Sequence, residues 1–193
     1  MFNVLGVAAD MKALSTVART FGLKVVADAA CALGTSHQGN PVAQMGADLS
    51  VISFNGNKTV TSGGGGAVVG IDGKLLAVAR HLSTTARQGS EYEHDQVGFN
   101  YRMTNLQAAV GCAQMERLDV FLAAKRRIRA VYDRDFSDLG GAEPFPGGSG
   151  IANACWLSGI VARDAATATR LRAHLASAGI EARSFWRSGR AHV

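Results

Sequence analysis

Lys58, Asp28 and Ser53 are the residues whose types and spacing could do chemistry together. Lys58 closes the run SFNGNK, residues 53–58, just past the end of an expected strand. Asp28 stands at the carboxyl end of another expected strand, residues 23–28, where open α/β sheets bind their ligands. Four consecutive glycines, 63–66, follow the lysine. Taken singly, each feature has an ordinary explanation. A lone loop lysine is a solvated charge, a strand-end acid is a structural cap, and a glycine run is a flexible turn. In company they offer more. An amine can condense with an aldehyde and later move a proton. A carboxylate can keep a ring nitrogen protonated, and a hydroxyl can donate to a phosphate. Backbone without Cβ atoms lets a flat ring come close. These are the demands of pyridoxal phosphate chemistry.

The elements that must position these groups alternate. Asp10 is a good N-cap for a helix through Phe21, ended by Gly22. Strands are expected at 23–28, 48–54 and 66–70, nearly continuous in apolar residues, so the sheet is expected to be covered on both faces. That is α/β architecture. A helix is expected over 74–82, then a polar, irregular stretch over 83–100 of a length that points to a functional or interface loop. Thr104 and Gln107 spell a capping box, opening one long helix whose apolar residues continue to Tyr132. A Gly/Pro-rich break at 140–150 follows. Beyond it a strand is expected at 154–162, a helix capped by Asp164, and a strand at 180–185. The organisation expected is a partial large domain over 1–138 and a partial small domain over 151–193. Both ends read as interrupted, as in an internal piece of a longer protein.

Composition narrows the classes. The chain has 193 residues, 47% of them hydrophobic, and no apolar run long enough to span a bilayer. No signal-peptide pattern opens it, so a cytoplasmic address is expected. Cys31, Cys112 and Cys155 form no CxxC pair, so neither a zinc site nor a disulfide framework is indicated, and no metal is expected. The net charge is +5. Its densest basic stretch, Lys125, Arg126, Arg127 and Arg129, reads as a solvated helix face and not as a nucleic-acid surface. An anionic small substrate suits the same sign.

The run DAACALGTSHQGNPVAQMGADLSVISFNGNKTVTSGGGGAVVG, residues 28–70, resembles the core of the DegT/DnrJ/EryC1/StrS sugar aminotransferases. So do GFNYRMTN at 98–105, LQAAVGCAQMERL at 106–118 and LGVAADM at 5–11. The likeness is strong over about residues 4–135 and weak beyond. SFNGNK before four glycines, HLSTTAR at 81–87 and HDQVG at 94–98 look most like the legionaminic-acid (LegC-like) branch, which aminates a nucleotide-linked 4-keto-6-deoxy hexose.

The resemblance implies pyridoxal-phosphate aminotransferase fold type I and a set of roles. Lys58 would carry the cofactor and move the proton, Asp28 would pair with the ring nitrogen, and Ser53 would donate to the phosphate. Cys31 would lie near the ring, where many members carry His, Gln or Glu. Asn100 and Arg102 would reach a neighbouring subunit's site, Asn100 toward phosphate and Arg102 toward cofactor or substrate. The implied reaction takes an amino group from L-glutamate to the keto sugar, in surface-glycan or amino-sugar biosynthesis. The implied assembly is a homodimer with shared sites. Two further departures are Gly64 and Ala27, each standing where family members often carry an acid. A family member is about twice this long, so the alternative is a catalytically incomplete homologue acting as a binding or dimerising protein. A sugar dehydratase of the same family carries His at the lysine position, and Lys58 argues against it. A dinucleotide-binding fold fails because glycines 63–66 precede a strand and not a helix.

Overall fold

In the computed structural model, which describes residues 7–148 and 150–185, the chain divides into two compact units. One holds the described residues up to Ala130 together with Pro146–Ser158. The other holds Val131–Phe145 with the described residues from Gly159 onward.

The first unit begins at helix α1, Met11–Thr20, which Asp10 caps by accepting the Ala13 N–H at 2.9 Å. Gly22, at φ +63°, turns the chain away from the helix end. Strand β1, Val26–Asp28, then pairs parallel with a later strand, β4, Leu49–Ser53. Between them lies a small hairpin of β2, Ser36–His37, and β3, Asn40–Pro41, followed by one 3-10 turn at Val42–Gln44. Strand β5, Gly66–Gly70, runs antiparallel to β4 and completes the order β1-β4-β5. Of the expected mainly parallel sheet, the chain thus holds a mixed three-stranded part. The connection at 54–65 holds no helix to make a crossover and instead turns the chain straight back beside β4.

Side chains alternate across this sheet. Ala27, Ser50 and Ile52 point inward and are buried, with Met11, Ala29, Ala32 and Val42 completing the core beneath them. Val26, Val51 and Val68 point the other way and are exposed, so the expectation of a sheet covered on both faces is not met among the described residues. The register Asp28↔Val51↔Val68 puts Asp28 on that open face.

Asp48, just before β4, ties the strand starts together. It accepts the Val25 N–H at 2.7 Å and pairs with Lys24 Nζ at 2.9 Å. These contacts, the Val25 N–H first and Lys24 next, hold its carboxyl below the usual carboxylate range. The stability they add is present above the unfolded carboxyl pKa of about 3.9 and is lost as pH falls through the lower folded value. Asp48→Asn should therefore lower the melting temperature at pH 7 and flatten the loss of stability below about pH 4. Thermal melts of both proteins at neutral and acidic pH check this. Equal acid limbs would contradict it.

Helix α2, Gly73–Ser83, is capped by Asp72, whose carboxylate accepts from Lys74 and Leu75 N–H. The polar stretch after it is ordered by a two-rung hairpin, β6, Arg87–Gln88, against β7, Glu93–His94. Helix α3, Asn105–Met115, has the expected capping box, with Thr104 and Gln107 each accepting the other's N–H. The single long helix expected from Thr104 is two. The chain breaks at Glu116 and Arg117, and α4, Leu118–Phe136, starts afresh with Asp119 in its first turn, where the helix dipole favours an acid. Short strand β9, Ile151–Ala152, returns to pair with β2, so residues 151–158 lie with the first unit and not with the second, as the sequence boundaries had placed them.

In the second unit, β8, Ala142–Pro144, pairs antiparallel with β10, Ile160–Ala162, and α5, Ala165–Ser177, follows behind its Asp164 cap. Only the end of the strand expected over 154–162 forms. Cys155 sits at φ +52°, a left-handed conformation that no strand can carry through. The strand expected at 180–185 is absent as well. The Ile180 N–H is taken by Leu175 O in the turn that closes α5 at Gly179, φ +74°.

Candidate active site

Two parallel strands deliver Asp28 and Ser53 to the same end of the sheet. The Ala29 N–H donates to Val51 O at 2.9 Å and carries the pairing one step past β1. Ser53 is paired with Gly66, in the same alternation as Val51 with Val68, so Ser53 shares a face with Asp28. Each side chain is set by its own backbone. Asp28 Oδ1 accepts the Ala30 N–H at 3.0 Å, and Ser53 Oγ accepts the Asn55 N–H at 3.2 Å. Accepting leaves the Ser53 hydroxyl its proton to donate.

Past Ser53 the chain folds into a tight loop that presents Lys58. Lys58 N–H donates to Asn55 O, Ser62 N–H to Phe54 O and Phe54 N–H to Gly65 O, each at 3.0 Å. The glycines are required here by space as well as by conformation. Gly65 is required by its conformation, φ +78°, since the Met103 Cε that a Cβ would meet at 2.8 Å is the movable end of a side chain. A Cβ on Gly66 would collide with Ile52 O. The half-buried Lys58 side chain reaches back to residue 31, three past Asp28, where Nζ donates to Cys31 Sγ at 3.1 Å. On its other side Nζ lies 3.9 Å from the centre of the Trp156 ring. No acidic side chain among the described residues forms an ion pair with it.

Trp156 was not among the residues singled out from sequence. It stands inside what reads as a strand, and the only hint is its rarity, one of two tryptophans in the chain. It is 3% exposed and donates Nε1–H to Asn57 O at 2.7 Å. Helix α4 holds its segment. Lys125 Nζ donates to Trp156 O at 2.9 Å, and Arg126 Nε to Asn153 O at 3.2 Å. This corrects the reading of Lys125 as part of a solvated face, while Arg126 stays exposed as expected. Burial pushes the Lys125 amine below its ordinary range.

Asn100 and Arg102 stand apart from this group. Both are exposed, and no hydrogen bond or ion pair joins either to Asp28, Ser53 or Lys58. Their segment is fixed by its backbone: Asn100 bridges Thr84, and the Tyr101 N–H donates to Ser83 O at 2.9 Å. Phe99 and Tyr101 stack at 5.1 Å while remaining 49% and 76% exposed, a face left uncovered among the described residues. His81 Nε2 pairs with Asp95 at 2.7 Å and His94 Nδ1 meets Thr85 O at 2.7 Å. Among the described residues no cluster could hold a metal ion.

Pyridoxal phosphate needs an amine, an acid and a phosphate donor around one flat ring. A half-buried amine without an acid partner, an acid and a proton-bearing hydroxyl on one face at one strand end, and a Cβ-free turn fit that group. Cavities of about 610 and 490 Å³ lie elsewhere, one along Ser137–Glu143 and 161–163, the other at the start of α1.

Fold and grouped residues are of the kind found in α/β enzymes that work through a lysine and pyridoxal phosphate. The chain belongs to the DegT/DnrJ/EryC1/StrS aminotransferase family, which it matches over residues 1–192. It is 36% identical over 185 residues to the GDP-perosamine synthase of Escherichia coli O157:H7, covering 94% of this chain and 49% of that one. Among solved structures it resembles the aminotransferase TlmJ from Streptoalloteichus hindustanus, with a TM-score of 0.88, 25% identity, and 100% and 52% of the two chains covered. DesV of S. venezuelae matches at a TM-score of 0.85 and 28% identity, with 93% and 47% covered. The chain spans about half the length of the relatives it matches.

Proposed function

We propose that the protein carrying this chain is a pyridoxal-phosphate-dependent aminotransferase that moves an amino group from L-glutamate to a nucleotide-linked 4-keto-6-deoxy sugar. The observation that carries this reading is the Lys58 amine, held half-buried without an acid partner beside the strand end that bears Asp28. Family membership supports it, as does the name of a relative, GDP-perosamine synthase. The legionaminic-type branch suggested by the motifs is the finer form of the same proposal. A non-catalytic role is not favoured, because relatives are named as a synthase and a transaminase.

The bound cofactor supplies an electron sink for the pair left when a C–H bond next to nitrogen breaks. Lys58 Nζ would hold the cofactor by its aldehyde carbon. As a free amine, Nζ would take the proton from the α-carbon of L-glutamate. In the second half-reaction it serves the sugar carbon in the opposite sense. The Asp28 carboxylate keeps the ring nitrogen protonated, and Ser53 Oγ donates to the phosphate. Cys31, bonded to the Lys58 amine, would lie beside the ring. Asn100 and Arg102 serve a second copy's site, Asn100 toward phosphate and Arg102 toward cofactor or substrate. The exposed Phe99 and Tyr101 next to them support a homodimer with shared sites. The first unit represents part of a cofactor-binding large domain and the second the start of a small one.

No helix among the described residues is long and apolar enough to cross a membrane. The setting proposed is the cytoplasm, where nucleotide sugars are made and used. Incubating the full-length protein with L-glutamate and a panel of UDP- and GDP-linked 4-keto sugars tests the function. One substrate should yield an amino sugar and 2-oxoglutarate in equal amounts. A cofactor-loaded protein that transfers nitrogen to no keto sugar would contradict it.

A further inference from the structure

The indole of Trp156 meets Lys58 from two directions. Its Nε1–H bonds the carbonyl of Asn57, the residue directly before the lysine, at 2.7 Å. Its ring lies under the lysine amine at 3.9 Å. One buried side chain therefore fixes both the backbone from which Lys58 springs and the far end of that flexible side chain. Trp156 is itself anchored from several elements. Lys125 of α4 holds its carbonyl, Thr35 Oγ1 accepts the Ala154 N–H at 3.1 Å, and Asn153 Oδ1 accepts the Cys155 N–H at 2.7 Å. The left-handed turn at Cys155, a conformation that costs any residue with a Cβ, directs the chain into the buried Trp156.

We propose that Trp156 is a positioning residue for Lys58, placing its amine for attack on a carbonyl. A lysine side chain has four rotatable bonds, and ordering them is a cost that a preformed seat removes before the reaction begins. The ring holds the ammonium by its quadrupole without a salt bridge, so once the proton passes to water no ion pair has to break before the neutral amine reacts. The Cys31 thiol on the other side is a weak acceptor and competes little. The inference rests on Lys58 being the cofactor lysine, and it goes beyond that reading by naming what presents the amine.

Apo full-length protein is incubated with pyridoxal phosphate for timed intervals and reduced with borohydride, and each lysine is read by peptide mass spectrometry. Nζ adds to the aldehyde carbon, water leaves, and hydride closes the C=N bond into a stable mark. The exposed Lys12 and Lys74 serve as internal controls. Trp156→Leu should slow marking at residue 58 about tenfold and leave Lys12 and Lys74 unchanged. Trp156→Phe, which keeps a ring face, should stay within about threefold of wild type. Wild-type speed in the Leu variant, or equal loss in the Phe and Leu variants, would overturn the proposal. Should the Leu variant lose its cooperative melt, NMR of the wild type decides. The Lys58 ε-carbon protons should be displaced upfield by the indole ring current, and a random-coil position would overturn the proposal. If the wild type takes no mark at residue 58, the cofactor reading fails, while the ring-current measurement still tests the contact with Trp156.

Discussion

Lys58→Ala should abolish turnover in the full-length protein and remove the yellow colour of the bound cofactor. Two contributions disappear at once. The first is covalent retention of the cofactor, which only an amine at this position provides. The second is the proton transfer at the substrate carbon, where a positioned base is worth up to about 10⁴-fold. Loss of at least that size is expected, well beyond what a packing defect would cause, since Lys58 is half-buried and its contacts are one thiol and one ring face. Far-UV circular dichroism and the thermal melt should change little. Activity and visible absorbance are the readouts. A variant that stays yellow through a bond at residue 58's neighbourhood and still turns over would contradict the role given to Lys58.

Asp28→Ala should weaken cofactor binding and slow both half-reactions. A hydrogen bond to a charged group contributes about 1.5–3 kcal/mol, which corresponds to about 10- to 150-fold in affinity. The rate effect adds to this, because an unprotonated ring accepts the electron pair poorly. Asp28→Asn separates the two, since it keeps an oxygen acceptor and loses the charge. Its affinity should lie between those of wild type and Asp28→Ala, while its half-reaction rates should fall nearly as far as Ala's. The fold should survive either change, because the packing of β1 rests on Ala27 and on strand pairing with β4. Cofactor titration and stopped-flow measurement of each half-reaction check this. Unchanged rates with saturating cofactor would remove Asp28 from the mechanism.

Legibility in the sequence followed the range of the interactions. Asp10, Thr104 with Gln107, and Asp164 announced helix starts because a cap is a bond across three residues. The Gly-rich turn was legible because missing Cβ atoms are visible in the letters, and Gly66 does stand where a Cβ would strike Ile52. The break between α3 and α4 was not legible, since no Gly or Pro marks it. The seat of Trp156 was not legible either. It joins residues 99 and 119 positions apart, Trp156 to Asn57 and Ala154 to Thr35, and a local pattern carries no trace of such a contact. A run of apolar residues at 154–162 has strand periodicity, yet its first part is pulled into the core by those same bonds. Lys125 read as a surface charge because its carbonyl partner at Trp156 is distant in sequence.

Everything turns on one amine and one carboxylate meeting opposite sides of a single aromatic ring. A crystal structure of the full-length protein grown with pyridoxal phosphate tests this most directly. Continuous density from Lys58 Nζ to the cofactor, with an Asp28 carboxylate oxygen about 2.7–2.9 Å from the ring nitrogen, is the predicted result. Cofactor bound to another lysine, or a ring nitrogen facing away from Asp28, would contradict the account.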